Sequence, residues 1–162
     1  MYPVLRPLLG RGGAGRYLSR AESVQRLLPL VERGNVLLQR YAHLLEAMPE
    51  GFERERIAAI VPFVRTDVSK LYELIFSLGG TAPTGVDMQT RPLERAADPL
   101  AAAREAEQAF HDALRDEIDA VHHQERTRGV LASLYGKRVR GAKHEGGSIA
   151  RLGILRSLAA RR

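Results

Sequence analysis

Residues 57–81, IAAIVPFVRTDVSKLYELIFSLGGT, decide the fold of this chain. Their apolar side chains recur at steps of four and three residues: Ile57, Val61, Val64, Val68, Leu71, Ile75 and Leu78. This spacing places the side chains on one stripe of a long helix, which has to bury that stripe against other helices. Gly79-Gly80 predicts a left-handed C-cap, and Pro83 prevents the helix from resuming. The stripe carries no catalytic group, so it predicts architecture and says little about chemistry.

The length and composition of the chain exclude several classes of protein. A chain of 162 residues is long enough for one domain with its own hydrophobic core. It contains no Cys, which excludes disulfides, thiol nucleophiles and Cys-based metal sites. No apolar run approaches the roughly 20 residues of a membrane span. We therefore expect a cytoplasmic protein, or alternatively a mitochondrial one, because the Arg-rich, acid-free N-terminus is also typical of a transit peptide.

The net charge of +6 is concentrated at the ends of the chain. Residues 1–20 contain four arginines and no acid, and residues 137–162 contain eight cations and only one acid, Glu145. The segment between them is about −5. An acidic body with basic ends predicts that the ends contact something anionic. We accordingly divide the chain into a basic arm (1–20), a helical bundle domain (21–145) and a basic amphipathic tail (146–162).

The predicted helices form two pairs joined by a long connector. The first helix begins at the capping-box sequence Ser19-x-x-Glu22 and runs to about Met48, although Pro29 should kink it or delay its start. A turn at residues 49–51 returns the second helix antiparallel, and residues 79–97 connect it to a third helix that begins at Asp98-Pro99. A fourth helix follows from Glu125 to about Gly146, and residues 149–160 form a short amphipathic helix.

This order predicts an all-α protein, a four-helix bundle with a long crossover between the second and third helices. The alternative is a three-helix bundle in which residues 98–137 form one continuous third helix, because nothing in residues 120–124 is a strong helix breaker.

The segment Ser77-Leu78-Gly79-Gly80-Thr81-Ala82-Pro83, with the two helix pairs, resembles the ferritin-like superfamily. It is most similar to small bacterial members whose second helix ends in Leu-Gly-Gly-x-x-Pro, over about residues 20–145. The resemblance implies a four-helix bundle, and in di-iron members Glu-x-x-His pairs that hold the metals. This chain has no Glu-x-x-His, and its nearest counterpart on the second helix is Asp67-x-x-Lys70. We therefore expect no intact di-iron site and no catalytic residue.

The third helix offers the best candidates for an atypical metal site. Carboxylate and imidazole ligands one turn apart can share a metal ion, and the candidate ligands are Glu105, Glu107, His111 and His122. Iron or manganese would suit such a site, but the sequence favours no particular cofactor. The competing interpretation is that these are solvated charges of a helix face. Asn35, which interrupts the apolar stripe of the first helix, is best interpreted as a buried polar residue that fixes register.

Three classes of function remain, and we favour an interaction or scaffold protein. Its partner would be a protein, a second copy of the chain or another anionic surface, bound by a set of basic residues: Arg6, Arg11, Arg16, Lys137, Arg138, Arg140, Lys143, Arg151 and Arg156. The alternatives are a metal-handling protein and a nucleic-acid-associated protein, although aromatic residues are scarcely interleaved with the basic ones. The tail 146–162 resembles the peptides that dock ferritin-like cargo in encapsulin shells, is also typical of helices that lie on a membrane surface, and could equally pack on the bundle.

Overall fold

A computed structural model describes residues 17–82, 92–120, 122–136 and 146–162 of the chain. Within these ranges it contains five α-helices and no strand: α1 (Arg20–Ala47), α2 (Phe52–Ser77), α3 (Pro99–Ala120), α4 (Glu125–Tyr135) and α5 (Ser148–Ala159). The prediction of an all-α protein is therefore confirmed. None of the described helices has the length and apolar character needed to cross a membrane.

The first two helices begin and end where their local chemistry predicts. The Ser19 hydroxyl accepts from the Glu22 backbone N–H at 3.1 Å, and the Glu22 carboxylate accepts from the Ser19 backbone N–H at 2.8 Å. These reciprocal hydrogen bonds form the predicted capping box. Pro29 and Pro62 lie inside α1 and α2, and neither ends its helix.

The double glycine closes α2 as predicted. Gly79 adopts a left-handed φ of +82°, which a residue with a Cβ adopts only with strain. The Gly80 N–H then donates to the Ile75 carbonyl at 3.0 Å, and the Gly79 N–H donates to the Phe76 carbonyl at 2.9 Å. This pair of hydrogen bonds is a Schellman motif, which satisfies two carbonyls that the helix end would leave unpaired.

The third and fourth helices are separate, and the fourth begins at Glu125 as predicted, so the alternative of one continuous helix over residues 98–137 is wrong. Tertiary contacts fix the break. The His122 carbonyl accepts from the Leu18 N–H at 2.9 Å, and the buried His123 Nε2 lies 2.9 Å from a Glu117 carboxylate oxygen. Helix α4 ends at Tyr135, where Gly136 forms a left-handed C-cap with a φ of +97°. The predicted continuation of this helix to Gly146 lies in residues 137–145, outside the described part of the chain.

Helix α1 packs against α2 and α3, and α3 also contacts α4 and α5. The first two helices approach closely at Gly34, where a Cβ would lie 2.7 Å from Val68 Cγ2. One residue further along α1, the Asn35 side-chain amide donates to the Tyr72 hydroxyl on α2 at 3.1 Å. This contact accords with the structural interpretation of Asn35, because it pairs one position of α1 with one position of α2.

Helix α5 packs against α3, and three of its leucines, Leu152, Leu155 and Leu158, are buried. In the sequence these residues suggested an amphipathic tail that could dock elsewhere. In the structure Leu155 and Leu158 belong to the hydrophobic core of the molecule. Residues 148–159 are thus an element of the packed molecule.

Candidate functional site

Four buried polar side chains meet in the interior, one from each of four helices. They are Tyr41 of α1, Asp67 of α2, Glu107 of α3 and Arg151 of α5, and none is more than 6% exposed. Buried ionisable groups are rare unless they are paired, and their clustering marks a candidate site. We call these four residues the arginine–carboxylate cluster.

The Arg151 guanidinium is the centre of this cluster. Its Nε donates to Glu107 Oε1 at 2.8 Å, and its Nη1 donates to Asp67 Oδ2 at 2.7 Å. Nη1 also donates to the Gly146 backbone carbonyl, five residues before the arginine. The second Glu107 oxygen, Oε2, accepts from the Tyr41 hydroxyl at 2.9 Å. Both oxygens of Glu107 are therefore hydrogen-bonded, and the cation joins α2, α3 and α5.

Burial controls the protonation of the cluster. It raises the pKa of Glu107 to about 7, although the Arg151 charge and the hydrogen bond from Tyr41 act in the opposite direction. Burial also raises the pKa of Tyr41 far above its ordinary value, so its hydroxyl remains a donor. Burial alone would lower the pKa of Arg151, but Glu107 and Asp67 outweigh it and raise the pKa. With both acids ionised, the Arg151 guanidinium faces two carboxylates.

Each cluster residue occupies a core position of its own helix. Asp67 lies three residues after Val64 and four before Leu71, both fully buried, and Glu107 lies four after Ala103 and three before Phe110. Residues three or four apart share a helix face, so these polar side chains are buried on the same face as the apolar side chains around them. Arg151 stands likewise four residues before Leu155.

The predicted metal ligands do not come together. Glu107 is engaged by Arg151 and Tyr41, Glu105 is exposed, and His122 lies in the α3–α4 connection. His111 stacks on the Tyr135 ring at a centroid distance of 4.5 Å. Across the described ranges, no three His, Asp or Glu residues are grouped so that they could hold a metal ion. The arginine–carboxylate cluster also does not fit a metal centre, because the Arg151 guanidinium lies between its two carboxylates and is hydrogen-bonded to both.

The predicted partner-binding residues fall into three groups. Arg156 is exposed, and its guanidinium donates to the Gln108 side chain at 2.9 Å. The prediction that Arg151 binds a partner is wrong, because its side chain is fully buried and paired with two acids. The remaining predicted cations lie outside the described residues: Arg6, Arg11, Arg16, Lys137, Arg138, Arg140 and Lys143.

Helices α4 and α5 meet at the middle of α3. There the His111 imidazole, which stacks on Tyr135 at the end of α4, also contacts the Ser148 hydroxyl at the start of α5, with Nδ1 and Oγ 2.9 Å apart. A Cβ at Gly147 would lie 2.9 Å from the Gly136 Cα. Only glycines allow this approach, and it brings the end of α4 next to the start of α5.

A cleft with a volume of about 800 Å³ lies elsewhere. It is between the first half of α1 and the last half of α3, with Arg26, Arg33 and Glu117 among its lining residues. None of the four residues of the arginine–carboxylate cluster lines it. The Glu117 carboxylate is already paired with Arg26 and with His123, each at a distance of 2.9 Å. The cleft and the cluster are therefore separate features.

Sequence reasoning missed Asp67, Arg151 and Tyr41 as partners of Glu107. Asp67 carries a signal, since it stands in register with Val64 and Leu71 on the stripe that decides the fold. Arg151 has the same kind of signal, being surrounded at helical spacing by Leu152, Leu155 and Leu158. Its place among eight cations of a basic segment favoured the opposite interpretation. Tyr41 has no signal beyond its position between Leu37 and Leu44.

Comparison with known proteins gives no relative to guide the interpretation. No protein-family model, no curated protein and no solved structure matches the chain. The resemblance to the ferritin-like superfamily thus depends on the quoted motif and on the order of helices alone.

Proposed function

We propose that this protein is a non-catalytic helical scaffold that binds an anionic protein partner through its basic segments. The observation that carries the proposal is the use of Arg151 inside the molecule. Among the described residues, the carboxylates of the arginine–carboxylate cluster are both hydrogen-bonded by the chain's own Arg151. The cleft between α1 and α3 does not reach this cluster. Such a cluster stabilises and orients helices, and it leaves no reactive group facing a substrate.

The helix contacts support a ferritin-like arrangement with four helical positions. Helices α1, α2 and α3 fill three positions, and α4 and α5 together fill the fourth, because both pack on α3 and meet beside His111. Arg151 is hydrogen-bonded to two interior carboxylates, which supports a scaffold over a metal-handling protein.

The charge of residues 137–145 supports the choice of the binding segment. The described residues on either side of it, Gly136 and Gly147, lie close together. The nine residues between Gly136 and Gly146 carry four cations and one acid. A segment of this charge that starts and ends at one point of the bundle is suited to an acidic protein surface.

A charge-reversal experiment tests this function. Capture from a lysate followed by mass spectrometry nominates partners, and binding is then measured with the purified partner by titration calorimetry at several salt concentrations. We expect Arg138→Glu/Arg140→Glu to weaken binding at least about tenfold. The matched control is Arg104→Glu/Arg128→Glu, which changes two exposed arginines of α3 and α4 by the same charge.

Two outcomes would contradict the proposal. In the first, both double variants bind the purified partner as the wild type does. In the second, the protein binds mixed-sequence duplex DNA more tightly than any acidic protein, with an affinity that falls steeply with salt. The second result would establish the nucleic-acid-associated class instead.

A further inference from the structure

We propose that the cleft between α1 and α3 binds a small organic molecule with an apolar body and one anionic group, and that Arg33 binds the anionic group. The volume of the cleft, about 800 Å³, is within the range of small-molecule sites in proteins. This inference does not depend on the proposed function, because it uses neither residues 137–145 nor an acidic protein partner.

Two tertiary contacts hold the walls of the cleft in place. The Leu18 N–H donates to the His122 carbonyl at 2.9 Å, which ties the residues before α1 to those after α3. The Arg26 guanidinium contacts both oxygens of Glu117, with Nε 3.2 Å from Oε2 and Nη2 2.9 Å from Oε1. Oε2 also lies 2.9 Å from Nε2 of the buried His123. A cleft with walls fixed in this way is preformed, so a ligand does not have to order it on binding.

The cleft presents an apolar surface to a ligand. Its apolar lining residues are Leu18, Ala21, Pro29, Leu30 and Ala113. Leu30 belongs to the hydrophobic core, whereas Ala21 and Pro29 are exposed on the same helix. Covering these side chains would remove apolar surface from water, so the part of the ligand that lies on them must itself be apolar.

The three acids that line the cleft already have partners within the chain. The Glu22 carboxylate accepts from the Ser19 backbone N–H at 2.8 Å, and the Asp116 carboxylate pairs with Arg115 at 3.2 Å. Glu117 is engaged by the two side chains described above. Because each acid is paired, these residues do not make the cleft a site for a cationic ligand.

Arg33 is the lining cation that can receive a ligand. It is exposed, and among the described residues its side chain makes neither an ion pair nor a hydrogen bond. The other lining cation, Arg26, is engaged by Glu117. A carboxylate or a sulfonate matches a guanidinium both in charge and in the direction of its hydrogen bonds.

The position of Arg33 also fixes where the rest of the ligand lies. Arg33 follows Pro29 by four residues and Leu30 by three, so the three side chains share one face of α1. An anionic group held by Arg33 therefore places the body of the ligand against Pro29 and Leu30.

Two matched fluorescent probes test the inference on the full-length protein. Anilinonaphthalene sulfonate has an arene body and one anionic group, and phenylnaphthylamine has the same body without the charge. Both fluoresce when they leave water, and the chain has no Trp whose emission would interfere. We expect saturable binding of the sulfonate, which Arg33→Gln should weaken about tenfold while leaving the affinity for the neutral probe unchanged.

The matched control is Arg104→Gln, which removes an exposed arginine of α3 that does not line the cleft and should change neither affinity. Both variants should melt at the wild-type temperature, which separates a loss of binding from a loss of folding. In two-dimensional NMR, the sulfonate should shift the amide resonances of Leu30, Arg33 and Ala113, but not that of the exposed Ser69 on α2.

Three results would overturn the proposal. The first is the absence of saturable binding of the sulfonate probe. The second is an equal effect of Arg33→Gln and Arg104→Gln on its affinity, which would show that it responds only to the net charge of the protein. The third is a set of shifted resonances that lies outside the cleft.

Discussion

Arg151 is a cation in an interior that holds two carboxylates and a tyrosine hydroxyl. Moving a charge out of water costs several kcal/mol, and a partner within hydrogen-bond distance offsets that cost only while both members are present. The guanidinium lies 2.8 Å from one acid and 2.7 Å from the other, so its removal affects both. The consequence of substituting Arg151 therefore depends on what is done to the acids.

We predict that Arg151→Met lowers the free energy of unfolding by about 3–5 kcal/mol, because it removes the guanidinium that pairs with the buried Asp67 and Glu107. The triple variant Arg151→Met/Asp67→Asn/Glu107→Gln should recover most of this loss, since it removes the charges of the two acids as well. Urea unfolding followed by circular dichroism measures both. Arg156→Met, at an exposed position of the same helix, serves as the control and should change stability by less than about 0.5 kcal/mol. A triple variant no more stable than Arg151→Met would contradict this account.

Glu107 should make stability depend on pH near neutrality. Its pKa is about 7 in the folded protein against an ordinary value of 4.5, so the folded state binds its proton more tightly than the unfolded state. The stability that this proton contributes is complete below pH 4.5 and is lost as the pH rises through 7. The difference corresponds to roughly 3 kcal/mol. We expect the free energy of unfolding to fall between about pH 5 and pH 8.

The measurement compares wild type with Glu107→Gln by urea unfolding at several pH values. Burial lowers the pKa of His111, which makes the protein lose stability as the pH falls and so opposes the effect of Glu107. Subtracting the Glu107→Gln curve from the wild-type curve cancels that contribution. If the difference between the two curves is flat over this range of pH, Glu107 does not take up a proton in the folded state.

At the scale of single residues, the sequence predicts burial better than it predicts pairing. The register of Val64, Asp67 and Leu71 already carries an acid into the core, because positions three and four apart share one helix face. The choice of Arg151 as its partner comes from tertiary structure, since 84 residues separate the two. The helical spacing of Arg151 with Leu155 and Leu158 indicates a buried face, but no local rule identifies the acids with which its guanidinium pairs.

At the scale of elements, the contact between α1 and α2 depends on a missing side chain. Gly34 is buried, and a Cβ there would lie 2.7 Å from Val68 Cγ2, closer than two carbon atoms can approach. Glycine in a helix interior costs about 1 kcal/mol relative to alanine, so the position gives up helix propensity to allow the approach. Val68 is β-branched and cannot rotate away easily.

We predict that Gly34→Ala lowers the free energy of unfolding by about 1–2 kcal/mol, because overpacking outweighs the gain in helix propensity. In a Val68→Ala background the same substitution should become neutral or stabilising, by up to about 1 kcal/mol. A double-mutant cycle with urea unfolding measures this change of sign. Equal effects of Gly34→Ala in the two backgrounds would show that the helices do not meet at these residues.

The ends of helices were predictable wherever a single residue of the sequence supplies the cap. The capping box at Ser19, the glycine cap at Gly79 and the Asp98 side chain, which accepts from the Ala101 N–H at 3.1 Å, all lie where the sequence predicts them. The break between α3 and α4 lies just before Glu125, where the sequence also begins the fourth helix, but no local residue enforces it. It depends on hydrogen bonds of His122 and His123 with Leu18 and Glu117, which only the folded chain brings together.

At the scale of the whole molecule, α5 completes the interior. It supplies the only cation of the arginine–carboxylate cluster and buries three leucines, and these contributions come from a segment that resembles a detachable tail in the sequence. The order of helices was predictable because long amphipathic stretches must bury one face. The position of the last helix was not predictable, because a basic amphipathic segment is suited equally to packing on its own bundle and to packing on a partner.

Deleting residues 146–162 should therefore destabilise the bundle as well as remove a tail. The deletion leaves Asp67 and Glu107 without their cation and exposes the α3 surface that α5 covers. The expected loss in the free energy of unfolding is several kcal/mol, which is comparable with the total stability of a small domain, about 5–15 kcal/mol. We expect the shortened chain to lose its cooperative thermal transition by circular dichroism. Deleting only Arg161 and Arg162, whose ion pairs at 3.9 and 3.7 Å are exposed, should leave that transition nearly unchanged. A shortened chain that melts cooperatively at the wild-type temperature would show that α5 is an appendage, and that the arginine–carboxylate cluster contributes little to folding.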